Sequence, residues 1–433
     1  METRLAQWLQ NTPEGDTADR ILRACVHCGF CLATCPTYQV LGDELDSPRG
    51  RIYQIKQVLE GAQPTRETQV HLDRCLTCSS CETTCPSGVE YRHLVDIGRA
   101  VVQQHVKRPW RERAFRWVLR EGLTRRWIFG TLLQLARALS WALPPSLRTK
   151  IGVRRDPGVR PTRTHERRVL LLNGCVQPSM QPSIDSATVR VLDAIGLQAI
   201  VAPTSGCCGG IRLHADDEPG ALANARRNID AWWPYIESNS AEAIVINASG
   251  CGVIVKDYGH LLRSDPAYAD KARRVSELTR DPVELLTGLV PQLQELASRA
   301  ALATGAVGAV RPPPRVAFQS PCTLQHGLKI RGDVEKILTA VGAELVPVGD
   351  AHLCCGSSGT YSLLQPELSR TLRDRKLENL LQRSPEVVLS ANIGCVGHLQ
   401  TGTDVPVLHW IEWVDRRLQP SNLAATAPTP TAV

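Results

Sequence analysis

The sequence of 433 residues lacks three features that would each assign it to a familiar class of protein. Its first 23 residues are polar and contain no apolar core of the kind that a secretory signal needs. No apolar run is long enough for a membrane-spanning helix, since the best candidate, 127–145, is short and interrupted by Arg137. No Gly-x-Gly-x-x-Gly motif follows a predicted strand, so we expect no dinucleotide site. We therefore expect a cytoplasmic protein of two to four domains.

Positive charge is concentrated in one segment. Between residues 107 and 168 there are 17 lysines and arginines against 4 acidic residues, a balance of +13, whereas the whole chain carries +7. The remainder is therefore mildly acidic. Such a segment predicts contact with an anionic membrane face or an acidic partner, the alternative being a solvated connector without a partner. No nucleic-acid-reading motif accompanies the charge, so we expect no nucleic acid partner.

Cysteine is the abundant residue, with 16 in the chain. Eight of them form two blocks of the same spacing, Cys-x2-Cys-x2-Cys-x3-Cys-Pro, which run from Cys25 to Pro36 and from Cys75 to Pro86. Bacterial-type ferredoxins hold [4Fe–4S] clusters with this pattern. Disulfides or a zinc site are the alternative reading, but the identical spacing and the two final prolines disfavour it.

The spacing within each block predicts how the ligands are shared. Three thiols placed three residues apart on a tight loop can bind three corners of one cubane cluster, whereas the fourth turns away and reaches the other cluster. The crossing would tie both blocks into one α-helical ferredoxin-type domain, residues 1–100, whose folding depends on metal. Between the blocks, apolar residues at 52, 55, 58 and 59 recur at helical spacing and predict a helix. The predicted ligands are Cys25, Cys28, Cys31 and Cys85 for cluster 1, and Cys75, Cys78, Cys81 and Cys35 for cluster 2.

Residues 101–166 are predicted to form a basic helical connector, which begins with a helix over 101–120. Within it, 127–143 is a strongly apolar helix with tryptophan near both ends. This pattern fits a helix lying on a membrane surface. It fits equally a helix packed in a core or against a partner, which is the more common outcome and the one we favour.

From residue 167 onward, predicted strands and helices alternate with short loops. This order predicts α/β domains with parallel sheets. The pattern occurs twice, in 167–299 and in 315–418, with an Ala/Gly/Pro-rich linker between the copies. The last segment, 419–433, has the composition of a disordered tail. The predicted fold is thus a two-[4Fe–4S] ferredoxin-type helical domain followed by a duplicated α/β domain.

The other eight cysteines occupy matching positions in the two copies. Each copy has a lone Cys, a Cys-Cys-Gly turn and a Gly-Cys, and 32 positions separate the first two of these elements in both copies. Each cysteine follows a predicted strand or lies in a turn, where open α/β sheets bind their ligands. We therefore favour a redox or metal role over buried structural thiols. These cysteines are Cys175, Cys207, Cys208 and Cys251 in the first copy and Cys322, Cys354, Cys355 and Cys395 in the second.

Short motifs around the cysteines extend the pattern over nearly the whole chain. They are Ile21-Leu-Arg-Ala-Cys25-Val-His-Cys28-Gly-Phe-Cys31, Leu41-Gly-Asp-Glu-Leu-Asp46, Pro48-Arg-Gly-Arg-Ile-Tyr53, Cys81-Glu-Thr-Thr-Cys85-Pro-Ser-Gly88, Asn228-Ile-Asp-Ala-Trp-Trp-Pro234, Ala248-Ser-Gly-Cys-Gly252, Cys322-Thr-Leu-Gln-His326, His352-Leu-Cys-Cys-Gly-Ser357 and Ala391-Asn-Ile-Gly-Cys395. With them the chain resembles a family of iron–sulfur redox subunits. This family includes the B-type subunits of heterodisulfide reductase, the iron–sulfur subunits of anaerobic glycerol-3-phosphate dehydrogenase and, most closely, those of bacterial glycolate oxidase.

The resemblance implies an electron-transfer subunit of a complex that oxidises glycolate to glyoxylate, and D-lactate as well. FAD in partner subunits would remove hydride from the substrate. Two [4Fe–4S] clusters in this chain would then carry the electrons to a quinone-type acceptor, with the chain peripheral on the inner face of the cell membrane. A further iron–sulfur site in the Cys-Cys-Gly domains would lengthen the relay. No catalytic residue is expected in this chain.

One departure from the family pattern concerns the end of each copy. The family often has Cys-x2-Cys there, whereas this chain has Ile254 and His398 at the last position. The resemblance therefore does not carry over the five-thiolate non-cubane cluster of heterodisulfide reductase, although four thiols per copy suffice for a cluster or a shared site. The alternative function is a thiol/disulfide redox subunit of the heterodisulfide reductase kind. A scaffold with degenerate clusters is disfavoured by the two intact cysteine blocks.

Overall fold

The N-terminal part of the chain is helical. The computed structural model describes residues 1–143, 151–152, 154–303 and 313–419, so the predicted tail beyond 419 and parts of both predicted linkers lie outside the described residues. The helices of the first part are α1 (Pro13–Ala24), α2 (Pro36–Leu41), α3 (Pro48–Leu59), α4 (Arg66–Asp73), α5 (Ser80–Thr84), α6 (Tyr91–His105), α7 (Trp110–Thr124) and α8 (Arg126–Ala138).

Helix α3 shows how local sequence sets these elements. The Ser47 hydroxyl caps its N-terminus by accepting a hydrogen bond from the Gly50 N–H at 3.0 Å, and Pro48 occupies the first helical position. Its apolar residues recur at helical spacing and are buried, as the sequence predicted. They pack against α6, where Ile55 lies so close to Gly98 that a Cβ there would be 2.6 Å from it. This packing forms the core beneath the two cysteine blocks.

Two four-stranded parallel sheets follow, one in each copy. In the first sheet the strand order is β2-β1-β3-β4, and in the second it is β6-β5-β7-β8. The strands are β1 (Arg167–Leu171), β2 (Leu197–Ile200), β3 (Ile244–Val245), β4 (Thr279–Arg280), β5 (Arg315–Gln319), β6 (Glu344–Val346), β7 (Val387–Ser390) and β8 (Val407–His409). The predicted duplicated α/β fold is confirmed.

Helices connect the strands and cover the sheets. In the first copy they are α9 (Gln177–Met180), α10 (Pro182–Ala194), α11 (Gly210–His214), α12 (Glu218–Glu237), α13 (Ser249–Lys256), α14 (Tyr258–Leu261), α15 (Ala269–Leu278), α16 (Pro282–Leu286) and α17 (Val290–Ala303). In the second copy they are a π-helical turn (Thr323–Gly327), α18 (Asp333–Ala340), α19 (Tyr361–Leu364), α20 (Pro366–Leu381), α21 (Ile393–Gln400) and α22 (Trp410–Leu418).

The two copies share one hydrophobic core. Buried residues of both sheets, such as Val169 and Leu171 in the first and Val316 and Leu389 in the second, belong to the same cluster. Helix α10 of the first copy packs against α22 of the second. The two copies are therefore packed against each other as one unit and are not separate domains joined only by a linker.

The basic connector packs between the other parts of the chain. Its buried residues Arg108 and Arg116 both bind Asp73 of the N-terminal domain and Asp216 of the first copy, the latter at 3.0 Å each. Further along, Arg155 binds Glu412 at 2.8 Å. Much of the concentrated positive charge thus pairs with acidic residues of the same chain, which explains why the remainder of the chain is acidic.

Helices α7 and α8 differ from the predicted connector in two respects. A predicted single helix through 101–120 is interrupted at 106–109, where Pro109 precedes α7. Helix α8 was expected to pack in a core or against a partner, but within the chain it buries only Leu133 among its described residues. Core packing is therefore wrong for this helix. Its large apolar side chains face outward, together with those of α7: Trp110, Phe115, Trp117, Val118, Trp127, Leu132 and Leu135.

Candidate iron–sulfur centres

The two cysteine loops of the N-terminal domain have the same backbone conformation. The residues two and four positions after the first cysteine have positive φ in both loops, at His27 and Gly29 in one and at Thr77 and Ser79 in the other. Left-handed residues are costly outside glycine, so three of these four positions are strained. The alternation turns each loop tightly, which is what three thiols sharing one cluster require.

The structure brings the fourth cysteine of the second block to the first loop. Cys85 lines the same small hollow as the three cysteines of the first loop, together with Ile52 and Tyr91. Burial raises the pKa of the Cys31 thiol to about 11. Such thiols are neutral on their own, and a metal that binds them displaces their protons. The hollow contains the four predicted ligands of cluster 1, Cys25, Cys28, Cys31 and Cys85. It is also lined by Cys81, a predicted ligand of cluster 2, so the division of the ligands between the clusters stays a prediction.

The predicted ligands of cluster 2 also lie close to one another: Cys35, Cys75, Cys78 and Cys81. Cys35 lies near enough to Cys78 and Cys81 for its charge to affect theirs, and burial raises the pKa of both thiols well above the usual value. Cys75 Sγ accepts hydrogen bonds from the Thr77 N–H at 3.4 Å and the Tyr91 hydroxyl at 3.7 Å. Donors of this kind stabilise metal-bound thiolates. This is the set predicted for cluster 2.

Two buried arginines flank the second set, and sequence reasoning gave them no role. Arg51 is 1 % exposed and donates hydrogen bonds to Thr37 and Asp46, beside Cys35 and Cys75. Arg99 donates to the carbonyl oxygen of Cys75 at 2.7 Å. Buried cations offset the negative charge of a thiolate-bound cluster. A signal was available for Arg51, which stands beside the apolar stripe of α3.

The spacing of the sulfur atoms argues for clusters rather than single ions. A tetrahedral zinc site, with Zn–S bonds of about 2.3 Å, would hold its sulfurs roughly 3.8 Å apart. Within the described ranges, which include all 16 cysteines, no three cysteine sulfurs lie within 4.8 Å of one another. In neither set are the sulfurs drawn together as closely as a single zinc ion would hold them. None of these cysteines forms a disulfide.

In each Cys-Cys-Gly copy the four thiols form a string. In the second copy, Cys322 Sγ lies 3.7 Å from Cys354 Sγ, and Cys355 Sγ lies 3.3 Å from Cys395 Sγ. The two middle thiols are also hydrogen bonded to each other. The first copy repeats the order: the Cys175 thiol is hydrogen bonded to that of Cys207, Cys207 to Cys208, and Cys208 to Cys251.

Both strings lie where the strand order switches direction. In each sheet the cysteines follow the carboxyl ends of the three adjacent strands, β2-β1-β3 in one and β6-β5-β7 in the other. This is the ligand-binding edge of open α/β sheets, as the sequence predicted. The glycines after each cysteine pair have positive φ, and Gly209 N and Gly356 N donate hydrogen bonds to Cys207 Sγ and Cys354 Sγ, both at 3.4 Å.

The second string meets the predicted cluster 2. Cys78 packs against the buried cluster formed by Leu76, Cys322, Cys354 and Tyr361, and its charge interacts with that of Cys322. Hydrogen bonds fix the contact. The Ser358 hydroxyl donates to Leu76 O at 2.6 Å, and the Tyr361 hydroxyl donates to Arg74 O at 3.1 Å.

The second string also meets the first. Asn392 Nδ2 donates to Cys395 Sγ at 3.7 Å, and the same amide lies 3.5 Å from the position of a Cβ at Gly250, the neighbour of Cys251. The Ser249 N–H donates to Ala391 O at 3.2 Å across the same junction. The thiols therefore form a nearly continuous line from the N-terminal domain through the second copy to the first.

The line ends at an open cavity in the first copy. The cavity has a volume of about 630 Å³ and is lined by Cys175 and Cys207 and by residues at the start of α8. The Cys207 thiol accepts hydrogen bonds from both neighbouring thiols, which holds its pKa well below the usual value, with Arg227 contributing. No cysteine of the second string lines this cavity.

Comparisons with known proteins agree with this architecture. Residues 21–89 match the family model of the 4Fe-4S dicluster domain, and residues 169–256 and 316–400 each match that of the cysteine-rich domain. The chain is 51 % identical to the glycolate oxidase iron-sulfur subunit of Escherichia coli, over 97 % of this chain and 100 % of the relative. It is 29 % identical to a probable glycolate oxidase iron-sulfur subunit of Bacillus subtilis, over 88 % of each chain.

The chain belongs to the family of glycolate oxidase iron–sulfur subunits. It is an iron–sulfur electron-transfer protein with an oxidoreductase role, as the resemblance implied. A more distant relative, lactate utilization protein A of Exiguobacterium, is 26 % identical over 56 % of this chain.

The two positions at which the chain departs from the wider family pattern are occupied by side chains that serve packing. Ile254 packs against Gly210, whose Cβ position lies 3.1 Å from it. His398 Nε2 lies 3.1 Å from the Ser369 hydroxyl of α20. The thiol strings of this member of the glycolate oxidase family thus have four sulfurs each.

In the described part of the chain, no helix combines the length and the apolar character needed to cross a membrane.

Proposed function

We propose that this chain carries electrons from FAD in partner subunits, through two [4Fe–4S] clusters, to a quinone-type acceptor. The complex would oxidise glycolate to glyoxylate, and D-lactate as well. The observation that carries the proposal is the proximity of Cys85 to the first cysteine loop and of Cys35 to Cys78 and Cys81, with Cys78 lying against the first thiols of a Cys-Cys-Gly string. The clusters would supply one-electron transfer. The protein positions their ligands, offsets their charge and keeps water from them.

The exposure of the cysteines supports entry of electrons at cluster 1. Cys28 is exposed, and the neighbouring Val26 and Phe30 are 66 % and 63 % exposed. Apolar side chains of this size on a surface are typical of contact sites for other proteins. The ligands of cluster 2 are more enclosed and face the second copy. The proposed order is therefore partner flavin, cluster 1, cluster 2 and then a further iron–sulfur site that the Cys-Cys-Gly thiols would hold.

The outer face of α7 and α8 supports a peripheral position on the inner face of the cell membrane. Trp110, Trp117 and Trp127 are between 54 % and 72 % exposed. Arg111 lies over the Trp110 ring, 5.5 Å from its centre. Tryptophan beside arginine on an apolar helical face is typical of helices that lie in the headgroup region of anionic membranes.

The cofactor content tests the relay. We expect two clusters in the N-terminal domain, hence about eight irons per chain, and a further iron–sulfur site in the Cys-Cys-Gly domains would raise this to about twelve or more. The measurement is iron and acid-labile sulfide on anaerobically purified protein, with EPR of the reduced form. Fewer than about eight irons in fully loaded protein would contradict the two-cluster proposal.

The variant Cys85→Ser tests the crossed ligand sets. It should disturb the EPR signal of cluster 1, because Cys85 lines the hollow of the first loop, and should leave cluster 2 intact. Cys35→Ser is the matched variant and should do the reverse. Loss of cluster 2 alone in Cys85→Ser would show that each block binds its own cluster.

A second candidate function is favoured by the short distances within the strings. Sulfurs 3.3 Å apart, as in Cys355 and Cys395, could be oxidised to a disulfide after a small movement. The chain would then be a thiol/disulfide redox subunit of the heterodisulfide reductase kind. Turnover of a disulfide substrate by the purified complex would favour this function, whereas inertness towards disulfides with intact glycolate oxidation would favour the relay.

A further inference from the structure

The cavity of the first copy lies between a redox-active edge and an apolar surface. Its wall on one side is the strand-end edge of the sheet, with Cys175 and Cys207. Its other wall is the first half of α8, with Arg126, Trp127 and Thr131. Helix α8 is held there by Arg137, which donates to the carbonyl oxygens of Ser179 and Met180, so the cavity is a fixed feature of the fold.

Two arginines of the cavity are available to a ligand. Several arginines of the connector, such as Arg108, Arg116 and Arg155, are paired within the chain, but Arg126 has no ion-pair partner among the described residues, and neither has Arg227 on the opposite wall. Hydroxyl groups of Thr131 and Ser205 also line the space. The cavity thus offers hydrogen-bond donors from two sides and no carboxylate.

The cavity opens beside the apolar outer face of α8. Trp127 lines the cavity and is 72 % exposed. Leu132, Leu135 and Leu139 extend the apolar face along the same helix and beyond its end, with 44–56 % exposure. A ligand with a polar ring and a long apolar tail could therefore place the ring inside and the tail along this face.

We propose that this cavity binds the head group of the quinone-class acceptor. The inference rests on the proposed function and locates its last step. Arg126 and Arg227 would donate hydrogen bonds to the two carbonyl oxygens, and the ring would face the thiols at the end of the string. The volume of about 630 Å³ lies within the range of small-molecule sites, about 300–1,000 Å³.

The proposed reaction balances without another reactant. The quinone takes up two protons and two electrons and becomes the quinol. The electrons would come singly from the oxidised substrate, through the two clusters and the further iron–sulfur site that the Cys-Cys-Gly thiols would hold. Among the residues lining the cavity there is no carboxylate or histidine. The protons would therefore come from water that enters through the open mouth.

Photoaffinity labelling tests binding directly. The purified complex would be irradiated with an azido-quinone carrying a short alkyl tail, and the labelled peptides identified by mass spectrometry. We expect label in α8 and in the loop that carries Ser205 and Cys207, with protection by an unlabelled short-tail quinone. Label confined to other peptides, or protection by millimolar acetate instead of quinone, would overturn the proposal, the latter in favour of a small-anion site.

Substitution of the arginines tests the role of the donors. Arg227→Gln with Arg126→Gln should raise the KM for a short-tail quinone at least tenfold, since each charge-assisted hydrogen bond lost weakens binding by roughly that factor. The control, Arg273→Gln with Arg274→Gln, alters two exposed arginines of α15 and should leave the KM unchanged. An unchanged KM in the cavity variant would overturn the proposal.

Cluster reduction separates this inference from the proposed function. EPR of the complex after anaerobic addition of glycolate reports electron entry without any quinone. Reduced clusters in both the wild type and the cavity variant, with slow reoxidation by quinone only in the variant, would support the cavity as the acceptor site. Clusters that stay oxidised in the wild-type complex would refute the proposed function itself, whatever the labelling shows.

Discussion

The two Cys-Cys-Gly copies have the same string of thiols in very different surroundings. In the second copy the string is buried and begins against Cys78 of the N-terminal domain. In the first copy it ends in a cavity beside an exposed aromatic helix. The two copies therefore share the same arrangement of sulfurs, but the string of the second copy packs against the N-terminal domain, whereas that of the first copy borders an open cavity.

Charge near the strings differs as well. On the helix that follows the Cys-Cys-Gly turn, the second copy has Lys376, which is 3 % exposed and donates to Asp350 O at 2.7 Å. On the corresponding helix the first copy has Asn228, which donates to Cys207 O at 3.0 Å. Both side chains fix the preceding loop, but the cations near the thiols differ in burial: Lys376 is buried beside Cys354 and Cys355, whereas Arg227, the cation near Cys207, is exposed at the cavity. A buried cation favours electron-rich thiolates, so the two strings should differ in reduction potential.

The largest expected difference between the copies concerns their link to cluster 2. Cys354→Ser should change the EPR signal of that cluster, because Cys354 and Cys322 lie against Cys78. The matched change in the first copy, Cys207→Ser, should leave the signal unaltered, since Cys207 lies at the cavity, whereas Cys78 packs against the second string. EPR of dithionite-reduced protein measures both. Equal effects of the two changes would show that the first and second copies do not differ in their link to cluster 2.

A smaller difference is expected at the glycine of each turn. Gly356→Ala would place a Cβ 2.6 Å from Ser369 O, and Gly209→Ala would place one 3.0 Å from Ala221 O. Both positions have positive φ, which costs a non-glycine residue about 1–2 kcal/mol. The clash should add roughly 1–3 kcal/mol in the second copy only. Urea unfolding of the two loaded variants checks the order, which would be contradicted if Gly209→Ala were the less stable.

Much of this architecture could be predicted because cysteine spacing is a strict geometric signal. The two-cluster ferredoxin-type domain followed from two blocks of one spacing, and the duplication followed from strands, turns and cysteines recurring in register. The longer helices, such as α3, agreed because their apolar residues recur at helical spacing over several turns. The cofactor requirement and the hydrophobic pattern point to the same fold.

Other features could not be predicted because they depend on distant contacts. Strand β4 has only two residues, Thr279 and Arg280, and no apolar run to mark it. The order of the thiol line depends on how Cys78 meets Cys322, residues 244 positions apart in sequence. The cavity arises because α8 packs over the first copy instead of into a core, a choice that its amphipathic sequence left open.

The subtlest contrast lies after the last strand of each sheet. In both copies a buried residue caps the next helix in a reciprocal capping box, Asp281 with Glu284 in the first and His409 with Glu412 in the second. Burial raises the pKa of Asp281 to about 7, although the charge of Lys256 opposes this shift. Burial lowers the pKa of His409 to about 4, and the charge of Arg155 adds to this shift. Between pH 4 and 6.5, Asp281 is therefore protonated in the folded protein but ionised in the unfolded chain. Over the same range, His409 is neutral in the folded protein but protonated in the unfolded chain.

The two groups therefore give stability opposite dependences on pH. Asp281 stabilises the fold fully below pH 3.8, and this contribution disappears as pH rises towards 7. His409 stabilises it above pH 6.5, and this contribution disappears as pH falls towards 4. Between pH 5.5 and 7 each effect is about 1–2 kcal/mol, and they nearly cancel.

His409→Asn and Asp281→Asn both retain a capping side chain. In urea unfolding at the two pH values, His409→Asn should become less stable relative to the wild type as pH rises, and Asp281→Asn more stable. Shifts of the same sign in both variants would show that the two caps titrate alike, and the copies would then differ only around their thiols.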